Sequence, residues 1–198
     1  TGKDSRDVIG FDTGPGNILM DAWIKLHQGK NYDSDGAWAA SGTVCGTLLD
    51  KLRSDPFFSL PPPKSTGRDL FHATWLQAQL APYRDLPAAD VQATLAAFTA
   101  TTIADAIAAH APAAQDVYVC GGGAYNTHLM QQIQTGLQAH QLIANVASTE
   151  SLGVSPNHVE SLAFAWLAHR FTIRQPGNLA AVTGAAGARI LGALYPAS

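Results

Sequence analysis

Charge is scarce in this 198-residue sequence: 14% of its residues are Asp, Glu, Lys or Arg, against about 25% in an ordinary soluble domain. That excludes a charged coiled coil, and a 46% hydrophobic fraction excludes a disordered acidic tail. Cysteine is scarce as well. Cys45 and Cys120 lie far apart with no CxxC spacing, which argues against a disulfide framework and a zinc cluster and makes a reducing cytoplasm the expected home. There is no basic run, and 12 Lys and Arg against 15 Asp and Glu give a net charge of -3, so the footprint of a nucleic-acid binder is missing. No uncharged apolar stretch reaches the roughly 20 residues that cross a bilayer, and residues 1–7 are polar. Neither a membrane helix nor a signal peptide is expected. No fixed-period repeat is present, which sets solenoids and propellers aside. The chain opens without Met and runs at once into Val8-Ile9-Gly10-Phe11, an apolar run that reads as an interior strand of a longer protein.

What is there alternates between two periodicities. Val8 to Phe11 is a strand candidate, and Asp12-Thr13-Gly14-Pro15-Gly16-Asn17 is too rich in glycine for regular structure. Ile18, Leu19, Ala22, Trp23 and Leu26 then recur at helical spacing, and Gly29 supplies the stop. Residues 37–52 read as a glycine-interrupted helical stretch. Three consecutive prolines within residues 59–68 require a loop, because proline fixes φ and removes a donor. A short helix is expected over 69–80, and a long alanine-rich core helix over 87–110 with Asp90 in its first turn. Residues 116–120 alternate as a strand, and Gly121-Gly122-Gly123-Ala124-Tyr125-Asn126 leads into an amphipathic helix carrying Leu129, Met130, Ile133 and Leu137. Further on come a strand over 142–147, a helix over 157–170, and a loop-like tail over 178–197 with a late apolar run. Strands alternating with helices predict one α/β layered domain.

Two strand, glycine turn, helix units carry most of the chemistry. Amides in such a turn at a helix N-terminus form a partly positive concavity, and two of them could grip separate parts of a polyphosphate nucleotide. Each could equally be only a tight connection. Neither turn is a GxxxxGK[ST] loop or a GxGxxG fingerprint. Asp12 ends the first strand, where a carboxylate is costly to bury without a task; it reads as a base, a metal partner or a cap on the following turn. Glu160 falls among Val159, Leu162, Ala163, Phe164 and Trp166 and is either functional or on a solvated face. Lys64 and Arg68 flank Ser65-Thr66-Gly67, suited to an anion or to anchoring the loop. The seven histidines are scattered without a metal-ligand cluster, and the four tryptophans suit core or interface more than ligand stacking.

Taken together, FDTGPGN with Leu19 and Asp21-Ala22-Trp23, the Pro63-Lys64-Ser65-Thr66-Gly67-Arg68 loop, Asp90-Val91-Gln92-Ala93-Thr94-Leu95, Val119-Cys120-Gly121-Gly122-Gly123-Ala124-Tyr125-Asn126, Glu160 with residues 163–168, and Gly177-Asn178-Leu179 with Val182-Thr183-Gly184-Ala185 resemble the C-terminal half of the anhydro-N-acetylmuramic acid kinase family. The likeness covers nearly the whole chain, and several ordered motifs are far more specific than one glycine turn. Asp69 is a small departure, standing where the family more often has Glu.

The resemblance implies an actin-like ATPase (ribonuclease H-like) lobe spanning residues 1–198, a mixed sheet flanked by helices, with the family's N-terminal lobe and its own phosphate loop absent. It implies Asp12 as general base, Gly14, Gly16 and Asn17 in a phosphate loop, Gly121, Gly122, Gly123 and Asn126 on the adenosine side, and Glu160 on the sugar. ATP and Mg²⁺ are the implied cofactors, with no dedicated metal cage. The implied reaction hydrolytically opens 1,6-anhydro-N-acetylmuramic acid and phosphorylates it, giving N-acetylmuramic acid 6-phosphate in bacterial peptidoglycan recycling. The chain alone would be inactive without its partner lobe, and a homodimer is compatible with the family. An actin-like ATP-binding module with a regulatory or assembly role is the competing expectation, and fold analogy alone does not separate the two. A nicotinamide-binding domain fits less well, lacking the glycine fingerprint and its ribose-binding acid.

Overall fold

The computed structural model describes residues 8–195; the polar opening at 1–7 and the last three residues of the tail lie outside the described residues. The elements are α1 Ile18–Gln28, α2 Ala37–Ala40, α3 Gly46–Arg53, α4 Ala73–Leu80, α5 Ala88–His110, β1 Asp116–Val119, α6 Thr127–Ala139, β2 Asn145–Ser148, α7 Val159–Thr172 and α8 Ala180–Thr183, with short 3₁₀ turns between several of them.

The centre is α5, against which α6, α2, α3 and α1 pack. Its apolar residues appear on nearly every side, so it can be stable in water only with neighbours all round. Val91, Leu95, Phe98 and Ala104 are accordingly buried. By length and composition this helix could cross a membrane; here it is the core helix. Gly136 of α6 lets α5 and α6 approach closely, since a Cβ there would sit 2.8 Å from the Ala104 methyl. An aromatic cluster of Phe57, Phe58, Phe71, Phe98 and Trp75, all with ring centroids 5.1–5.8 Å from a neighbour, closes one end of the core, and the Trp75 indole donates to Asp55 at 3.0 Å. Both cysteines are free.

The helices at α1, α5 and α6 match their spacing, and α1 stops where expected: Gly29 is left-handed at φ 69 and its amide returns to the Lys25 carbonyl. Four expectations need correction. Among the described residues the sheet is two parallel strands, β1 paired with β2 in the register Asp116 to Asn145, rather than a mixed sheet. Val8 to Phe11 is no strand, because strands exist through a ladder and this run has no partner among the described residues; the nearby Asp12 amide bonds instead to the Lys64 carbonyl at 3.0 Å. Residues 37–52 form two helices, α2 and α3, parted by a turn whose Gly42 packs so closely on the Ala89 backbone that a side chain there would collide with it. The 69–80 helix starts later, at Ala73, where the His72 ring accepts from the Trp75 amide. Among its described residues the tail holds one short helix, α8, ended by left-handed Gly184.

Candidate active site

The first glycine turn is held from below. Gly16 has φ +56 with nothing within 4 Å of a Cβ placed on it, so backbone conformation rather than space calls for glycine. Its carbonyl accepts from the Thr99 hydroxyl of α5 at 2.8 Å. The Ile18 amide closes the turn onto the Pro15 carbonyl at 3.2 Å, while the amides of Gly14, Gly16 and Asn17 donate to no protein group among the described residues. Unsatisfied amides at the start of an 11-residue helix are what an anion can use.

The second turn is more fully committed to itself. Gly121 (φ +75) donates its amide to the Pro156 carbonyl, Ala124 to Gly121 and Asn126 to Gly123. Buried Asn126 caps α6, its side-chain oxygen accepting from the Leu129 amide at 2.9 Å. The two turns meet: the Asn17 side chain lies 3.3 Å from where a Cβ on Gly123 would stand. Between them opens a cleft of about 500 Å³ lined by Asn17, Asp21, Asp33, Asp35, Gly122 and Asn126, among others.

One wall of that cleft is a segment that sequence reasoning left out. Asp33 is buried and accepts from the Trp38 and Ala39 amides, both at 2.9 Å, and from Gln92 Nε2 at 3.2 Å; it caps α2 and binds it to α5. Asp35 accepts hydrogen bonds from the Thr127 side chain and, at 3.2 Å, from its amide, and these hold its carboxyl below the usual range. Gly36, left-handed at φ +68, sits so close to Asn126 that a Cβ would stand 2.2 Å from its Oδ1. Asp21 is half-buried, and burial together with the nearby Asp33 charge pushes its carboxyl up to about 6. The available signal was the dense Asp, Ser and Gly turn at 33–36, which resembles a simple surface loop when read locally.

Asp12 lies elsewhere. Its Oδ2 accepts from the Ser65 hydroxyl at 2.9 Å and the Thr66 amide at 2.8 Å, so it holds the Lys64–Arg68 loop rather than capping the turn that follows it. It lines a second opening of about 480 Å³ with Gly10, Lys64, Ser65, Val182 and Thr183. Lys64 is turned to anchoring: its Nζ donates to the Phe57 carbonyl at 3.1 Å and lies 4.6 Å from the Phe57 ring centroid. Desolvation lowers its pKa. Glu160 is exposed on the first turn of α7 and lines neither opening. The structure therefore joins Asn17, Gly122 and Asn126 at one cleft, places Asp12 at the other end of the same turn, and leaves Glu160 apart.

Comparison with known proteins bears on what these openings serve. The sequence pattern of the family described as anhydro-N-acetylmuramic acid kinase matches residues 3–197. The chain belongs to the anhydro-N-acetylmuramic acid kinase family. Relatives carrying that name include one from Burkholderia orbicola (strain MC0-3), 57% identical over 190 residues, and one from Burkholderia thailandensis, 56% identical over 197 residues. Those matches take in 96% and 98% of this chain but 50% and 51% of the relatives. The chain spans about half the length of the curated relatives it matches. The structure is α/β in make-up, with helices around a small parallel sheet.

Proposed function

We propose that this chain is the C-terminal lobe of an ATP-dependent kinase acting on 1,6-anhydro-N-acetylmuramic acid, with the two openings serving the two substrates. The observation that carries the reading is the convergence of both glycine turns on one cleft with a carboxylate wall. That wall repels phosphate and accepts hydrogen bonds, so the cleft suits the neutral, hydroxyl- and amine-bearing nucleoside end of ATP. The free amides of Gly14, Gly16 and Asn17 suit its phosphates, and the glycines of the second turn let the nucleoside approach the backbone.

Asp12, at the start of the same turn, is then the general base. Its carboxylate takes a proton from the water that attacks the anomeric carbon. The bond from that carbon to O6 breaks, and O6 accepts the γ-phosphoryl group, leaving ADP and N-acetylmuramic acid 6-phosphate. Ser65 and Thr66 fix the carboxylate for this task. Glu160 is assigned to the sugar, reached across a cleft completed by the rest of the protein. A magnesium ion accompanying ATP would neutralise charge on the phosphates during transfer. The fuller actin-like lobe, the cytoplasmic setting and the role in peptidoglycan recycling belong to the same proposal.

Incubation of the full-length protein with ATP, Mg²⁺ and the anhydro sugar tests it by product mass. The reading requires a product heavier than the sugar by one water and one phosphoryl group. ATP consumption without that product, or equal ADP release with and without the sugar, overturns it.

A further inference from the structure

The last quarter of the chain does not behave like a finished surface. The core runs from Leu19 to Val146, and no described residue beyond it takes part. Helix α7 has apolar residues on both sides, yet none of its fourteen residues is buried. Leu162 and Trp166, one turn apart, are 54% and 50% exposed, and Phe164 on the opposite side is 71% exposed. A helix that is apolar all round belongs in an interior. Beside Leu162 lies an apolar hollow of about 400 Å³ with Val154 and Ala165 in its wall.

The sheet is unfinished in the same way. Parallel strands normally have both faces covered, and two strands alone make a marginal sheet; neither β1 nor β2 has a buried residue. The strand-like run at Val8 and Ile9 is exposed and unpaired among the described residues. These features are linked. Phe11 packs on His110 just before β1, with ring centroids 4.9 Å apart, and Asn17 meets Gly123 just after β1, so the first segment passes both ends of β1 without pairing to it. The Gly121 amide joins the end of β1 to Pro156 at the start of α7, and Gly10 lies against Val182 of the tail.

We infer that the apolar surface of α7, the unpaired edge of β1 and the run at Val8–Ile9 form one docking surface. Its occupant is polypeptide from the half of the relatives' length that this chain does not span, which adds at least one strand beside β1 and lays apolar side chains against Leu162, Phe164 and Trp166. About as much chain again is present in the relatives, enough to fill a sheet between these pieces. It rests on that length and on the exposed surface, not on the kinase chemistry, so failure of the sugar assay leaves it standing.

Thiol labelling of the full-length protein tests it. In a background with Cys45→Ser and Cys120→Ser, Phe164→Cys and Trp166→Cys should react with a maleimide at least about tenfold more slowly in native protein than in urea, while exposed Lys30→Cys should show little difference. Labelling of both α7 positions as fast as Lys30→Cys overturns the inference. Protection lost on dilution points to a second copy, and protection only with anionic vesicles points to a membrane; either overturns the assigned occupant. Amide exchange in the unsubstituted full-length protein needs no variant. All four β1 amides should be protected, and rapid exchange of alternate ones overturns strand addition.

Discussion

Replacing Asp12 by Asn separates its two tasks, because the structure shows what each requires. Both protein hydrogen bonds to Asp12 end on Oδ2, from Ser65 at 2.9 Å and Thr66 at 2.8 Å. The single carbonyl oxygen of Asn can accept both, so the Lys64–Arg68 loop should stay in place. Exchanging a charged acceptor for a neutral one weakens the pair, and the expected stability loss is about 1 kcal/mol. Proton abstraction is lost altogether. A positioned base contributes about 10²- to 10⁴-fold, equivalent to about 3 to 5 kcal/mol of transition-state stabilisation. In the full-length protein, sugar-dependent ADP release should therefore show kcat reduced by at least about 10²-fold, with nucleotide affinity moved by less than about twofold. A thermal melt of the same sample reports the fold. If kcat stays within a few-fold while the melting temperature drops, Asp12 is a loop anchor and the assignment of the base is wrong.

Asp21→Asn should stabilise the protein in a pH-dependent way. A carboxyl pushed from 3.8 to about 6 in the folded state favours folding below pH 4 and loses that benefit as pH rises through 6. The variant should match wild type at pH 4 and exceed it at pH 7 by about 1 kcal/mol, the full shift being discounted for a half-exposed group. Urea melts at the two values measure this, and equal midpoint differences at both refute it. The same variant should weaken nucleoside binding if its carboxylate faces ribose or base, read as a raised Kd by calorimetry. Gly36→Ala places a Cβ 2.2 Å from Asn126 Oδ1 in a left-handed conformation, which should cost about 1 to 3 kcal/mol and weaken nucleotide binding through the displaced cap. An unchanged melting temperature would show that the turn is not held as described.

How much of this was readable from the sequence depends on how local each feature is. Helices α1, α5 and α6 were legible because their apolar spacing and end signals lie within the segments themselves. Val8 to Phe11 was misread because strand character alone does not supply a partner, and the sheet was overdrawn for the same reason. Of the site, the glycine turns and Asp12 were visible, since glycine at a strand-to-helix turn advertises its backbone. That Asp12 grips Thr66, 54 positions away, and that Asp35 reaches Thr127 across 92 positions follow only from the packing of α1, α2 and α6 on α5. Asp33 and Asp35 belong to the cleft through that packing, and nothing in their own segment says so. Trp166 was expected in a core or interface; in this chain it lies outside the core, with the Arg170 guanidinium 5.3 Å from its ring centroid.

The claim on which the chemistry turns is that a water activated at Asp12 enters the sugar while O6 receives the phosphoryl group. Turnover by the full-length protein in ¹⁸O-labelled water, followed by prompt mass spectrometry of the sugar phosphate and its fragments, addresses it directly. The account predicts one labelled oxygen on the anomeric carbon and unlabelled oxygen bridging C6 to phosphorus. Label appearing in free phosphate while the anhydro ring stays closed, or an unlabelled sugar phosphate, would contradict it.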